Sequence, residues 1–86
     1  MVNKNYVNGR GKEYRVCKKL RDSGYEIVQR TAGSHSPIDV IGIHKITKSI
    51  IFVQAKPSSM SEGAKQRIED DNQWLNGTFL CEFEVM

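Results

Sequence analysis

Two runs rich in Ile, Val and Phe, residues 38–44 and 49–56, flank a four-residue connection, Lys45 to Lys48. Such composition suits a pleated, half-buried surface, and the connection is short enough for a hairpin. The spacing therefore predicts two adjacent antiparallel strands. Side chains alternate along a strand, so Asp39, Ile41 and Ile43 share one face. Ile50, Phe52, Gln54 and Lys56 share one face of the next strand. If His44 pairs with Ser49, counting back sets Asp39 opposite Gln54. A slip of one residue would move every side chain to the other face.

Core packing does not explain Asp39, Gln54 and Lys56, which sit inside or at the ends of these apolar runs. In the expected register two oxygen-bearing side chains and an ammonium converge at one end of the hairpin. A divalent metal and a phosphate ester need that geometry. A plainer reading stands beside it: Asp39 caps the turn after Pro37, and Lys56 is a solvated strand end before Pro57.

The 86 residues suffice for one small domain, residues 1–86, with a modest core, so an oligomer is expected. Composition, 38% hydrophobic and 27% charged, is that of a soluble globular protein. No apolar run approaches the roughly 20 residues of a membrane span, and no signal peptide is visible. Cys17 and Cys81 show no metal spacing and read as reduced core residues of a cytoplasmic protein. The net charge of +3 divides unevenly, +5 over residues 1–30 and −2 over residues 31–86. The basic end suits either a polyanion such as nucleic acid or a solvated helix face.

In chain order, Asn8 or Gly9 is the expected cap of a first helix running to about Ser23 and ended by Gly24. Val16, Cys17 and Leu20 form its apolar stripe, and Glu13 falls on that stripe by spacing. A carboxylate there needs a partner, a metal or a route to solvent. Lys12, Arg15, Lys19 and Asp22 lie off the stripe. Residues 25–30 read as a first strand, followed by a loop of small residues containing Ser34, His35 and Ser36. His35 there either meets solvent or donates to a phosphate. After the hairpin, Ser61 is the expected cap of a second helix through about Asn76, with Ala64, Ile68 and Leu75 inward. Trp74 beside that stripe is either core or an interface anchor. Residues 78–85 alternate and predict a last, half-exposed strand. The expected fold is α/β (α+β), in the order α-β-β-β-α-β, with no internal repeat.

Three stretches carry a resemblance: G-R-G-K-E-Y with Glu13, V-Q-R-T-A-G-S-H-S-P-I-D-V-I with Asp39, and I-F-V-Q-A-K with Gln54 and Lys56. Together they resemble the archaeal Holliday-junction resolvase branch of the PD-(D/E)XK nuclease superfamily, across residues 9–56 and in that family's order. The resemblance implies a restriction-endonuclease-like core, a mixed sheet flanked by helices. It also implies an Mg²⁺- or Mn²⁺-dependent endonuclease on branched DNA, working as a homodimer in an archaeal or viral-host cytoplasm. Glu13, Asp39 and Gln54 would then be the metal residues. Lys56 would orient the attacking water or offset charge on the phosphate, and Ser34 would touch the scissile phosphate. Arg10, Lys12, Arg15, Lys19, Arg30, Ser34 and His35 would bind the nucleic acid. Gln54 departs from the family's usual Glu or Asp, since an amide oxygen ligates without charge. That departure keeps two alternatives open: a flap, single-strand or general repair nuclease of the same fold, and a nucleic-acid-binding module without catalysis.

Overall fold

The first helix, α1, spans Lys4–Asp22. The structure is a computed structural model that describes residues 4–31 and 36–86, of residues 4–10 the backbone alone. α1 starts before the expected cap at Asn8 or Gly9; no proline interrupts the preceding turn, and the backbone there continues the helix. Its end follows the expected glycine rule. Gly24 takes φ +97°, its N–H donates to Arg21 O at 3.0 Å, and Tyr25 N–H donates to Leu20 O at 3.1 Å. These paired bonds satisfy the last carbonyls and set Tyr25 against the core. The first strand, β1 (Ile27–Arg30), consequently starts two residues later than expected.

β2 (Val40–His44) and β3 (Ser49–Val53) form the predicted hairpin. His44 opposes Ser49, and the ladder runs in register to Val40 opposite Val53. Lys48 closes the connection at φ +59°. The sheet order is β1-β2-β3, and both pairings are antiparallel. A mixed sheet is therefore not what these strands build.

One sheet face packs on α1. Cys17, Leu20 and Val40 are buried, with Val16, Tyr25, Val28, Ile51 and Val53 packed around them. Val40 is fully buried, worth roughly 1.5–3 kcal/mol for a side chain of this size. Gly42 lies on the same face, where a larger side chain would be crowded. A Cβ there would meet Ile51 Cγ2 at 3.0 Å, Tyr25 Cδ1 at 3.1 Å and Leu20 Cδ1 at 3.2 Å. By alternation, Ile27, Ile41, Ile43, Ile50 and Phe52 occupy the face away from α1, where Ile27 and Ile50 are exposed.

Ser61 caps the second helix, α2 (Glu62–Asp71), by accepting from the Ala64 N–H at 3.2 Å. The helix stops short of the expected Asn76 because the Asn72 side chain donates to Ile68 O at 2.8 Å, and a 3₁₀ turn (Gln73–Leu75) follows. Trp74 is exposed, which removes the core reading. The strand expected at residues 78–85 is not formed; that segment has no regular secondary structure and no place in the sheet. Phe79, Leu80, Phe83 and Val85 are exposed there, and Cys81 is exposed rather than in the core. Alternation gives a strand its two faces, but a strand also needs an edge to pair with. Among the described residues, no helix is long and apolar enough to cross a membrane.

Candidate functional site

The ladder ends at Val40 and Val53, and Asp39 is fastened where it stops. The Asp39 N–H donates to Val53 O at 2.8 Å, and Asp39 O accepts from the Thr31 N–H at 3.0 Å. Its Oδ2 accepts from the Ala55 N–H at 2.8 Å. One carboxylate oxygen thus grips the backbone between Gln54 and Lys56. Thr31 Oγ1 donates to Ile38 O and ties the start of β2 to the end of β1. Asp39, Gln54 and Lys56 are all half-buried. The Ala55 bond gives Asp39 a structural duty across the end of the hairpin rather than as cap of the turn after Pro37, where the Ile38 N–H donates to Ser36 Oγ.

Glu13 reaches the same end of the sheet from α1. Its Oε1 accepts from Arg30 Nε at 2.9 Å, with about a quarter of each side chain exposed (25% and 24%). Arg30 is the last residue of β1 and opposes Val40, the neighbour of Asp39. The bond from Glu13 holds the Arg30 guanidinium charged, raising its pKa above the ordinary value. Arg30 also lies 4.8 Å from the Tyr14 ring centroid, and its Nη1 donates to the Tyr14 hydroxyl at 3.4 Å. The inward carboxylate therefore has its partner, and the partner is a residue expected to hold phosphate.

An open cleft of about 590 Å³ adjoins this end of the hairpin. Gln54 and Lys56 line it from the segment after β3, and Lys12, Val16 and Lys19 line it from α1. Lys65, Ile68 and Leu75 close the far side. Four lysines and one glutamate, Glu69, stand around it, so the cleft is basic. Lys12, Val16 and Lys19 share this side of α1 at spacings of four and three, which brings two expected nucleic-acid residues together. Arg15 is exposed and is not among the residues lining the cleft. Ser34, His35 and the Arg10 side chain lie outside the described residues.

Tyr14 and Lys65 belong to this region and were not singled out from the sequence. The signal for Lys65 was its place three residues before Ile68 on the inner stripe of α2. Tyr14 carried none, since its role depends on where Arg30 reaches.

Among the described residues, no group of three or more His, Cys, Asp or Glu side chains is placed to hold a metal ion. The donors at the end of the hairpin are the Asp39 carboxylate and the Gln54 amide. Both are hard oxygen donors that suit Mg²⁺ or Mn²⁺ with several waters retained. Glu13 is held by Arg30 through Oε1 and is not among the residues lining the cleft with Gln54. No family model, curated protein or solved structure matches the chain.

Proposed function

We propose that this chain is a divalent-metal-dependent DNA endonuclease, selective for branched DNA and acting on four-way junctions by paired nicks. The observation that carries the reading is the grip of Asp39 on the Ala55 N–H, in the segment whose Gln54 and Lys56 line a basic cleft, although Asp39 itself is not among the residues lining it. Asp39 and Gln54 would hold Mg²⁺ or Mn²⁺, with Glu13 completing the shell when released. The ion, when bound, supplies Lewis-acid activation of a water and of the phosphate. Lys56 offsets charge that builds on the phosphate oxygens, and Lys12 and Lys19 hold the flanking backbone. A homodimer supplies the two sites that two symmetric cuts need.

A second reading has its own observation. The Glu13–Arg30 ion pair and the uncharged Gln54 together favour a nucleic-acid-binding module without cleavage. One assay separates these readings: cleavage of four-way junction, flap, duplex and single-stranded DNA, with Mg²⁺ and with EDTA. The expected result is junction cleavage with Mg²⁺, lost in EDTA and in Asp39→Ala. Binding without cutting in either condition selects the module. Equal cutting of duplex and junction leaves a nuclease of broader substrate.

A further inference from the structure

The connection from Lys45 to Lys48 stands at the opposite end of the hairpin from Asp39 and Gln54, and nothing proposed above uses it. It reads Lys-Ile-Thr-Lys. Ile46 is 83% exposed, and the lysines on either side of the turn are exposed as well. Turn chemistry alone favours Gly or Asn where φ is positive and a polar residue at the crest. Lys48 takes φ +59° instead, and Ile46 takes the crest. A single exposed isoleucine is ordinary on a surface. This one is held in place. Glu26 Oε2 accepts from the Lys45 N–H at 2.7 Å, and His44 Nδ1 accepts from the Thr47 N–H at 3.3 Å. Thr47 Oγ1 donates to Ser49 Oγ at 2.9 Å. The His44 ring meets the Tyr25 ring edge-on, with 5.3 Å between centroids, so the tip is braced against the core. What the bracing holds out is an apolar side chain between two cations.

We propose that this tip is a second contact for nucleic acid: Ile46 enters the gap in base stacking at a branch point, and Lys45 and Lys48 hold the phosphates beside it. The inference rests on branched DNA as the substrate proposed above and gives the selectivity for branches a physical source. In a continuous duplex, an inserted apolar side chain has to unstack neighbouring base pairs. At a branch the stack is already interrupted, so the same insertion costs less. A tip fixed beforehand loses little ordering entropy on binding. Charge selects the occupant. Neither lysine is in an ion pair among the described residues, whereas Glu26 is engaged by the Lys45 N–H and Asp22 by Lys18. The tip also continues the basic side of the cleft. α1 passes Lys12 and then Lys19, and the turn after it comes to His44: a Cβ added at Gly24 would meet His44 Nε2 at 2.8 Å. Lys48 leads into β3, the strand beside the cleft. β2 has five residues, about 17 Å at roughly 3.4 Å each, which about five base pairs span, so one DNA arm reaches both ends of the hairpin.

Fluorescence anisotropy with a four-way junction and a duplex of the same arm sequence, both in EDTA, tests this without cleavage. Ile46→Ser should weaken junction binding about tenfold and leave duplex binding within about twofold. Ile46 makes little contact within the chain, so the variant keeps its fold, as circular dichroism would verify. Lys48→Gly relieves the positive φ and should lower the salt slope of binding to both DNAs by about one. A 2-aminopurine placed beside the branch should brighten on binding the parent protein and stay dim with Ile46→Ser. Unchanged junction affinity in Ile46→Ser overturns the inference, as does an equal loss on junction and duplex. Loss of binding to phosphatidylserine vesicles in Ile46→Ser, with DNA binding unchanged, also overturns it and makes the tip a lipid contact. A protein that binds neither DNA overturns this inference and the proposed function together. Junction-selective binding through Ile46 by a protein that never cuts removes the nuclease reading and leaves the tip's role standing. Junction cleavage and binding indifferent to Ile46→Ser do the reverse.

Discussion

Arg30 donates to Glu13 at 2.9 Å, joining the last residue of β1 to the inward side of α1. The pair answers the question that a carboxylate on an apolar helix stripe raises. It also opposes the proposed metal, because both cations compete for one carboxylate. Arg30→Gln should therefore lower stability in urea unfolding, because Glu13 loses its charged partner. The same change should tighten Mn²⁺ binding to the free protein, read by calorimetry, since Glu13 is freed. Unchanged or weaker Mn²⁺ binding would remove Glu13 from the metal shell.

The lysines of the cleft predict a salt dependence. Lys12→Ala and Lys19→Ala should each lower the slope of log affinity against log salt by about one, if each neutralises a phosphate. Arg15→Ala reports whether DNA extends past the cleft, since Arg15 lies exposed outside it. Slopes unchanged for both lysines would return that side of α1 to solvated charge.

Gly42→Ala sets two effects against each other. Replacing glycine in a strand gains roughly 0.5–1 kcal/mol of backbone entropy. The added methyl meets side chains from α1, β3 and the turn after α1, all at 3.0–3.2 Å. Three elements cannot yield together at low cost, and overpacking runs to about 1–3 kcal/mol. The expected net is destabilisation of about 1 kcal/mol by urea unfolding. A stabilised variant would show that this core is looser than its contacts suggest.

Much of the hairpin was legible because local rules fix it. A four-residue connection and a period of two leave little freedom in register, and His44 does oppose Ser49. The stripe of Cys17 and Leu20 was legible for the same reason. What escaped was every choice between partners distant in sequence. Glu13 required a partner, but nothing local favoured Arg30 over a metal. Residues 78–85 alternated as a strand does, but alternation names no edge. The ladder keeps the expected register up to Val40 opposite Val53, and what the register did not show is that the Asp39 carboxylate takes the Ala55 N–H just past that end.

The start of β1 is tied to the β2–β3 connection by one bond, and that bond is pH-dependent. Glu26 Oε2 accepts from the Lys45 N–H at 2.7 Å. This backbone donor holds the Glu26 carboxyl below its ordinary pKa, with His44 and Lys45 adding smaller favourable charge effects. A carboxylate lowered in the folded state binds its proton more weakly there than when unfolded. Its contribution is therefore complete above the unfolded pKa, about 4.3 for a glutamate, and lost as pH falls through the lower folded value. Glu26→Gln removes that dependence. The expected outcome is a modest stability deficit for the variant at pH 7 in thermal unfolding. The gap should narrow once pH drops into the ordinary glutamate range and close below it. Other carboxylates titrate in both proteins, so the difference between the two curves isolates Glu26. A gap that stays constant from pH 7 to pH 3 would show that the variant lost packing rather than a charge-dependent bond.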